Sequence, residues 1–141
     1  VNLWSMDNTE TGFHDNGVVK TVYDPCPAGF KMPASNAFSG FTTTGNNVES
    51  DKKELNVVGN YDQGWHFKTG NGSTTTIYFP ALGWRHHDGY LNGSVNYGFY
   101  RSAISQDSKG TNCLFINNWG VYPKYEKIRN GYGLSVRPVS E

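Results

Sequence analysis

Three groups of residues in this 141-residue chain are of the types that chemistry needs. The first is His86-His87-Asp88. Imidazoles and carboxylates hold metals when their spacing sets them on one face, as at i and i+4 of a helix. Neighbours on a strand point to opposite faces, so this triplet reads as an exposed loop and predicts no metal site. His14 and His66 add no recognisable spacing. The second group is the nucleophiles. The chain has no Gly-x-Ser-x-Gly turn, no Cys in a catalytic setting, no Walker A or dinucleotide fingerprint, and no carboxylate pair marked out for acid–base work. The expectation is no catalytic residues, no cofactor and no enzyme.

The third group lies in residues 97–132. It holds eight aromatics: Tyr97, Phe99, Tyr100, Phe115, Trp119, Tyr122, Tyr125 and Tyr132. Arg101, Lys109, Lys124, Lys127 and Arg129 against Asp107 and Glu126 leave the segment at +3 within a chain of net charge zero. Tyr, Trp and Arg dominate binding hot spots because they bring large contact area with a polar tip. On an alternating strand Tyr97, Phe99 and Arg101 share one side. Cys113, Phe115 and Asn117 share one side of another, with Leu114 and Ile116 opposite. The aliphatic side reads as core. The mixed side, Phe beside Arg and Cys beside Asn, reads as a solvent face.

The elements that would position these residues follow from pattern. Aromatic residues are 15% of the chain and charged residues 17%, a balance that favours a folded domain over a disordered one. The length suits one domain, residues 1–141. Residues 18–23 read as a strand, and residues 24–30 as a turn set by Pro25 and Pro27. Ser35 can cap a short helix that places Phe38 and Phe41 on one face. Residues 43–60 read as a solvated loop. Residues 65–67 and 76–79 alternate around Asn71-Gly72, a two-residue hairpin signal. Residues 97–104, 112–117 and 133–139 are further strand candidates. The sum is an α+β domain with an antiparallel sheet. Zero net charge offers no field for nucleic acid, and no apolar run approaches the roughly 20 residues that span a bilayer. The start at Val1 without a signal-like segment reads as a trimmed fragment. Cys26 and Cys113, if paired, would stabilise the fold by about 4–5 kcal/mol.

Several motifs then carry a resemblance. Val22-Tyr23-Asp24-Pro25-Cys26-Pro27-Ala28-Gly29-Phe30-Lys31-Met32-Pro33, Phe79-Pro80-Ala81-Leu82-Gly83-Trp84-Arg85, Gly98-Phe99-Tyr100-Arg101-Ser102-Ala103 and Gly133-Leu134-Ser135-Val136-Arg137-Pro138-Val139 resemble the Fibrobacter succinogenes major paralogous domain family. That resemblance implies a C-type-lectin-like fold with one or two short helices, found in secreted and surface proteins of gut bacteria, including fimbrillin-type adhesins. Residues 97–139 further resemble the variable region of proteins diversified by a retroelement, in bacteria or their phages. Matched position by position, the resemblance implies ligand-binding roles for Tyr97, Phe99, Arg101, Cys113, Phe115, Trp119, Tyr122, Lys124, Tyr125, Glu126, Lys127, Arg129 and Tyr132. Ile128 falls among the same slots. Gly98, Ser102, Leu114, Val121, Pro123, Gly133 and Val136 match the fixed anchors.

Two departures stand out. Arg101 replaces the Trp of a Tyr-Trp-Ser motif, and Pro138 replaces the Cys of a final Val-Arg-Cys. The second removes a partner for Cys26. The calcium and sugar motifs of true C-type lectins are absent, as are the catalytic cysteines of formylglycine-generating enzymes in context. The resemblance implies an extracellular domain, on a cell surface or virion, that binds a protein or glycan through a variable face. The alternative is a stalk or tip module of a fimbrial or surface lipoprotein, with no ligand of its own.

Overall fold

Alternating large apolar residues build two sheets that face each other. The computed structural model describes residues 3–6, 10–70 and 74–141. Among these, the strands are β1 (Phe30–Lys31), β2 (Val48–Glu49), β3 (Val57–Val58), β4 (Gly64–Lys68), β5 (Thr76–Pro80), β6 (Trp84–Arg85), β7 (Leu91–Asn92), β8 (Gly98–Ser105), β9 (Gly110–Ile116), β10 (Gly120–Arg129) and β11 (Val139–Ser140). The largest sheet has the order β2-β10-β9-β8, and a second has the order β3-β4-β5. β1 pairs with β11 and β6 with β7. All these pairings are antiparallel.

The main core joins the two larger sheets. Trp65 and Phe67 from β4 and Phe79 from β5 meet Tyr100, Leu114, Ile116 and Val121 from β8, β9 and β10. His66 and Lys68, at alternate positions of β4, are only half-buried, as strand pleating dictates. Two glycines let backbones close in. A Cβ at Gly98 would stand 2.7 Å from the Ile116 side chain, and one at Gly120 would overlap the Val48 carbonyl oxygen. A smaller cluster of Val18, Cys26, Met32, Ala103 and Ile104 packs at the β8 end. There the Asp24 carboxylate accepts from the Cys26 and Met32 amides at 2.8 and 3.0 Å. The Lys20 ammonium donates to the carbonyls of Cys26, Pro27 and Phe30. The Cys-Pro motif is thus a structural knot.

The expected α+β, C-type-lectin-like class is overturned. Among the described residues the only helical segments are two three-residue 3-10 turns, Ser39–Phe41 and Lys52–Glu54, and the fold is nearly all β. The helix after Pro33 fails because its cap is engaged elsewhere: the Ser35 hydroxyl accepts from the His14 amide at 3.0 Å and donates to the His14 carbonyl. Ser39 and Gly40 then supply little helix propensity. Phe38 and Phe41 still share a face, both packing on Phe79.

Other expectations change too. Among the described residues, 18–23 form a single bridge, Ser5 to Lys20, and no described strand covers Val22, which is 93% exposed. Residues 43–60 are not a plain loop: they carry β2 and β3, and Val48 and Leu55 are core. Residues 133–138 make isolated bridges through Gly133 and Ser135 rather than a strand, and only Val139 at the end of the predicted span enters one, β11. β4 and β5 pair from Gly64↔Pro80 to Lys68↔Thr76, while the Asn71-Gly72 signal lies outside the described residues.

Candidate recognition face

β10 is the longest strand of the sheet, and alternation did not predict it. Its register on β9 slips twice: Tyr122 pairs with Phe115, Tyr125 with Cys113 and Ile128 with Thr111. Each slip inserts one extra residue, a β-bulge. Residues three apart, Tyr122, Tyr125 and Ile128, therefore fall where a regular strand would put residues two apart. Pro123 sits in the first slip, a place where a strand tolerates a missing amide. Beside it, the Asn47 side chain accepts from the Lys124 amide at 2.9 Å and donates to the Lys124 carbonyl at 3.0 Å. One asparagine side chain thus stands in for a strand partner where β2 has ended.

The bulges assemble a row of rings on the sheet face turned away from the main core. Phe99 and Phe115 stack at 4.6 Å between centroids, and Phe115 stacks on Tyr122 at 5.0 Å. Tyr125 lies 4.8 Å from Phe115 and 5.9 Å from Phe99. Trp84 meets Phe99 edge-on at 5.2 Å, and Tyr97 closes the row against Phe115 and Trp84. Such stacked and edge-on pairs each add about 0.5–1.5 kcal/mol beyond their buried area. The row is layered. Phe99, Cys113 and Ile128 are buried at its base, while Tyr97, Phe115, Tyr122, Tyr125 and Tyr132 are half-exposed above them.

That layering corrects the reading of the mixed side as a solvent face. Phe beside Cys is a coherent floor once Tyr125 and Ile128 from the bulged strand close over it. Phe99 at 5% and Cys113 at 1% exposure support the face from below and present almost no surface of their own. Leu114 and Ile116 take the opposite side, as alternation predicts, and Val121 from β10 joins them there. Val136 packs against the smaller cluster.

Trp119 differs from every ring in the row. It sits in the β9–β10 turn with 57% of its surface open, yet its backbone is fixed. The Asn117 carboxamide oxygen accepts from the Trp119 and Gly120 amides at 2.9 and 2.8 Å, and the Trp119 carbonyl accepts from the Ser50 amide. The Trp65 indole N–H anchors the same turn through the Asn117 carbonyl at 2.8 Å. An exposed indole on a pinned turn loses little entropy on contact with a partner.

The charged residues divide. Glu126, Lys127 and Arg129 are exposed on the outer half of β10. Lys124 is half-buried, its ammonium donating to Asn46 at 3.3 Å. Arg101 follows Phe99 on β8, opposite Cys113, and is half-buried. Its Nη2 donates to the Asn130 carbonyl at 3.0 Å, and its guanidinium lies 5.1 Å from the centre of the Trp4 ring. Sequence reasoning marked Arg101 but missed Trp4 and Trp84, which lie outside the C-terminal segment. The crowding of aromatics around Gly83-Trp84 was the available signal.

His86, His87 and Tyr132 form a small ring cluster at the margin, with His86 4.9 Å and His87 6.2 Å from Tyr132. His86 Nδ1 lies 3.0 Å from the Asp88 carboxylate. Among the described residues no group of three or more His, Cys, Asp or Glu side chains could hold a metal. Both cysteines are free thiols and buried. Burial pushes the Cys113 thiol up to about 12, and burial with the Asp24 carboxylate pushes Cys26 up to about 11. Neither is a ready nucleophile. No helix among the described residues is long and apolar enough to cross a membrane. The chain matches no family model, no curated protein and no solved structure.

Proposed function

We propose that the outer face of β8, β9 and β10 is a recognition surface for a protein or glycan partner, and that its segment is diversified as the motif resemblance implies. The observation that carries this is the half-exposed ring layer set on a buried floor. The sheet already buries a full core on its other side, so the rings above Phe99 and Cys113 form a surface supported from beneath. Trp119 extends it as a pinned, open anchor. Binding comes from ring contact area, and Lys127 and Arg129 steer acidic or polar partners toward it. The mechanism is association, without chemistry, by a domain on a cell surface or virion.

The test has two arms. Sequencing the DNA downstream of the coding region is expected to find a near-copy of its 3′ end, differing chiefly at adenines, beside a reverse transcriptase gene. A binding screen of the domain against arrayed glycans and bacterial surface proteins is expected to give hits that Trp119→Ala and Tyr122→Ser weaken at least tenfold, about 1.4 kcal/mol. No near-copy, together with hits indifferent to both substitutions, would leave the stalk or tip module as the better reading.

A further inference from the structure

Arg101 is the feature that the aromatic face does not absorb. Neither ion pair among the described residues involves it. A guanidinium has five N–H donors. Of these, one meets the Asn130 carbonyl, while the buried Nε has no partner. Burial pulls its pKa below the ordinary arginine value, the sign of a cation removed from water. A cavity of about 330 Å³ opens beside it, lined by Leu3, Trp4, Arg101, Ser105 and Asn130. An unpaired charge in such a place is costly unless an anion joins it.

We propose that this cavity is a carboxylate subsite: Arg101 receives the carboxylate of a ligand group, and Leu3 and Trp4 receive its apolar body. The charge complementarity is direct, since the terminal nitrogens of a guanidinium offer the fork that carboxylates accept, and the bond to Asn130 uses one of their four N–H groups. The body is apolar because a sugar ring needs several hydrogen-bonding partners. Here the Asn130 carbonyl is already taken by Arg101, and Asn130 Nδ2 donates to the Ser108 carbonyl. The matching group is the C-terminal residue of a partner polypeptide, with its free carboxylate and an aliphatic or aromatic side chain. Phe99 and Arg101 are two residues apart on one side of β8, roughly 7 Å, so the subsite adjoins the ring row and one partner reaches both.

This deepens the recognition reading and rests on it for its biological meaning, but its test needs no natural partner. N-acetylleucine is titrated into the intact domain beside N-acetylleucinamide, with the Arg101 Nε–H resonance followed by NMR. The acid is expected to shift that resonance at millimolar concentration and to bind at least about tenfold more tightly than the amide, the size of one charge-assisted bond. Arg101→Met should erase the difference with the melting temperature unchanged or raised, because an unpaired buried charge has gone. If that variant does not fold, Arg101→Lys keeps the charge, loses the fork and should weaken the acid alone, while Trp4→Leu removes one wall and should weaken acid and amide alike. Equal binding of acid and amide, or acid binding that survives all three variants, would overturn the subsite. Tighter binding of galacturonate than of N-acetylleucine would overturn the apolar-body assignment. Trp119→Ala, which tests the recognition face, should leave acid binding unchanged, so the two ideas can fail separately.

Discussion

The two faces of the β8–β9–β10 sheet are built from neighbouring residues and obey different rules. On the inner face Leu114, Ile116 and Val121 are wholly buried among Trp65, Phe67 and Phe79. On the outer face the next residues along, Cys113 and Phe115, belong to a layer that is sealed below and open above. The inner face is aliphatic and aromatic rings meshed from two sheets, where volume is critical. The outer face is almost entirely rings from one sheet and its flanking loops, touching side by side. Side-by-side rings retain exposed faces, and a new group can be laid on them. The difference separates what holds the fold from what is free to vary.

Substitutions at adjacent positions break this comparison most directly. Leu114→Ala should cost about 2–5 kcal/mol, because a fully enclosed leucine leaves a cavity that two sheets cannot close. Phe115→Ala, one residue along, removes a larger side chain yet should cost less, about 1–2 kcal/mol, since its burial is partial and its loss is mainly of ring stacking. Urea denaturation of both variants measures the contrast. A Phe115 cost equal to that of Leu114 would make the outer layer a second core.

The core strands were legible from sequence because their periodicity is uninterrupted. Trp65 and Phe67 alternate with His66 and Lys68, and β8 and β9 appear within one or two residues of the predicted spans. β10 was not legible. Its apolar residues recur at three rather than two because of the bulges, and Pro123 argues against a strand. Its backbone at the first bulge is held from 77 residues away, by the Asn47 side chain. The helix after Pro33 was read from a cap that the structure spends on His14. In the site, residue types identified the ring-bearing segment, but only tertiary pairing shows which members are floor and which are surface. Trp4 and Trp84 join it from distant parts of the chain, beyond the reach of any local pattern.

The thiols sharpen the comparison through pH. Cys113, in the floor of the outer face, and Cys26, in the smaller cluster, are both held neutral by burial, at about 12 and about 11 against an ordinary value of 9.0. Unfolded thiols ionise near 9.0, so the stabilisation from keeping them neutral is whole below that pH and is lost as pH rises from 9.0 toward 12. Denaturation midpoints should fall across that window, and Cys113→Ala should flatten part of the fall. Ellman's reagent should meet neither thiol until the chain unfolds. Rapid labelling of Cys113 in the native state would show the floor to be open.

The smallest effect on stability is expected at the most conspicuous ring. Trp119→Ala removes the largest side chain in the hairpin, but more than half of that surface is already in water. What holds the turn is backbone, bonded to the Asn117 carboxamide and Ser50, and those bonds survive the substitution. The stability change should therefore stay within about 0.5 kcal/mol, as for an ordinary surface position, while binding falls more than for any single ring of the row. A costly Trp119→Ala would mean that the indole packs down on its own hairpin in solution. It would then belong with the floor, and the open surface would shrink to Tyr97, Phe115, Tyr122, Tyr125 and Tyr132.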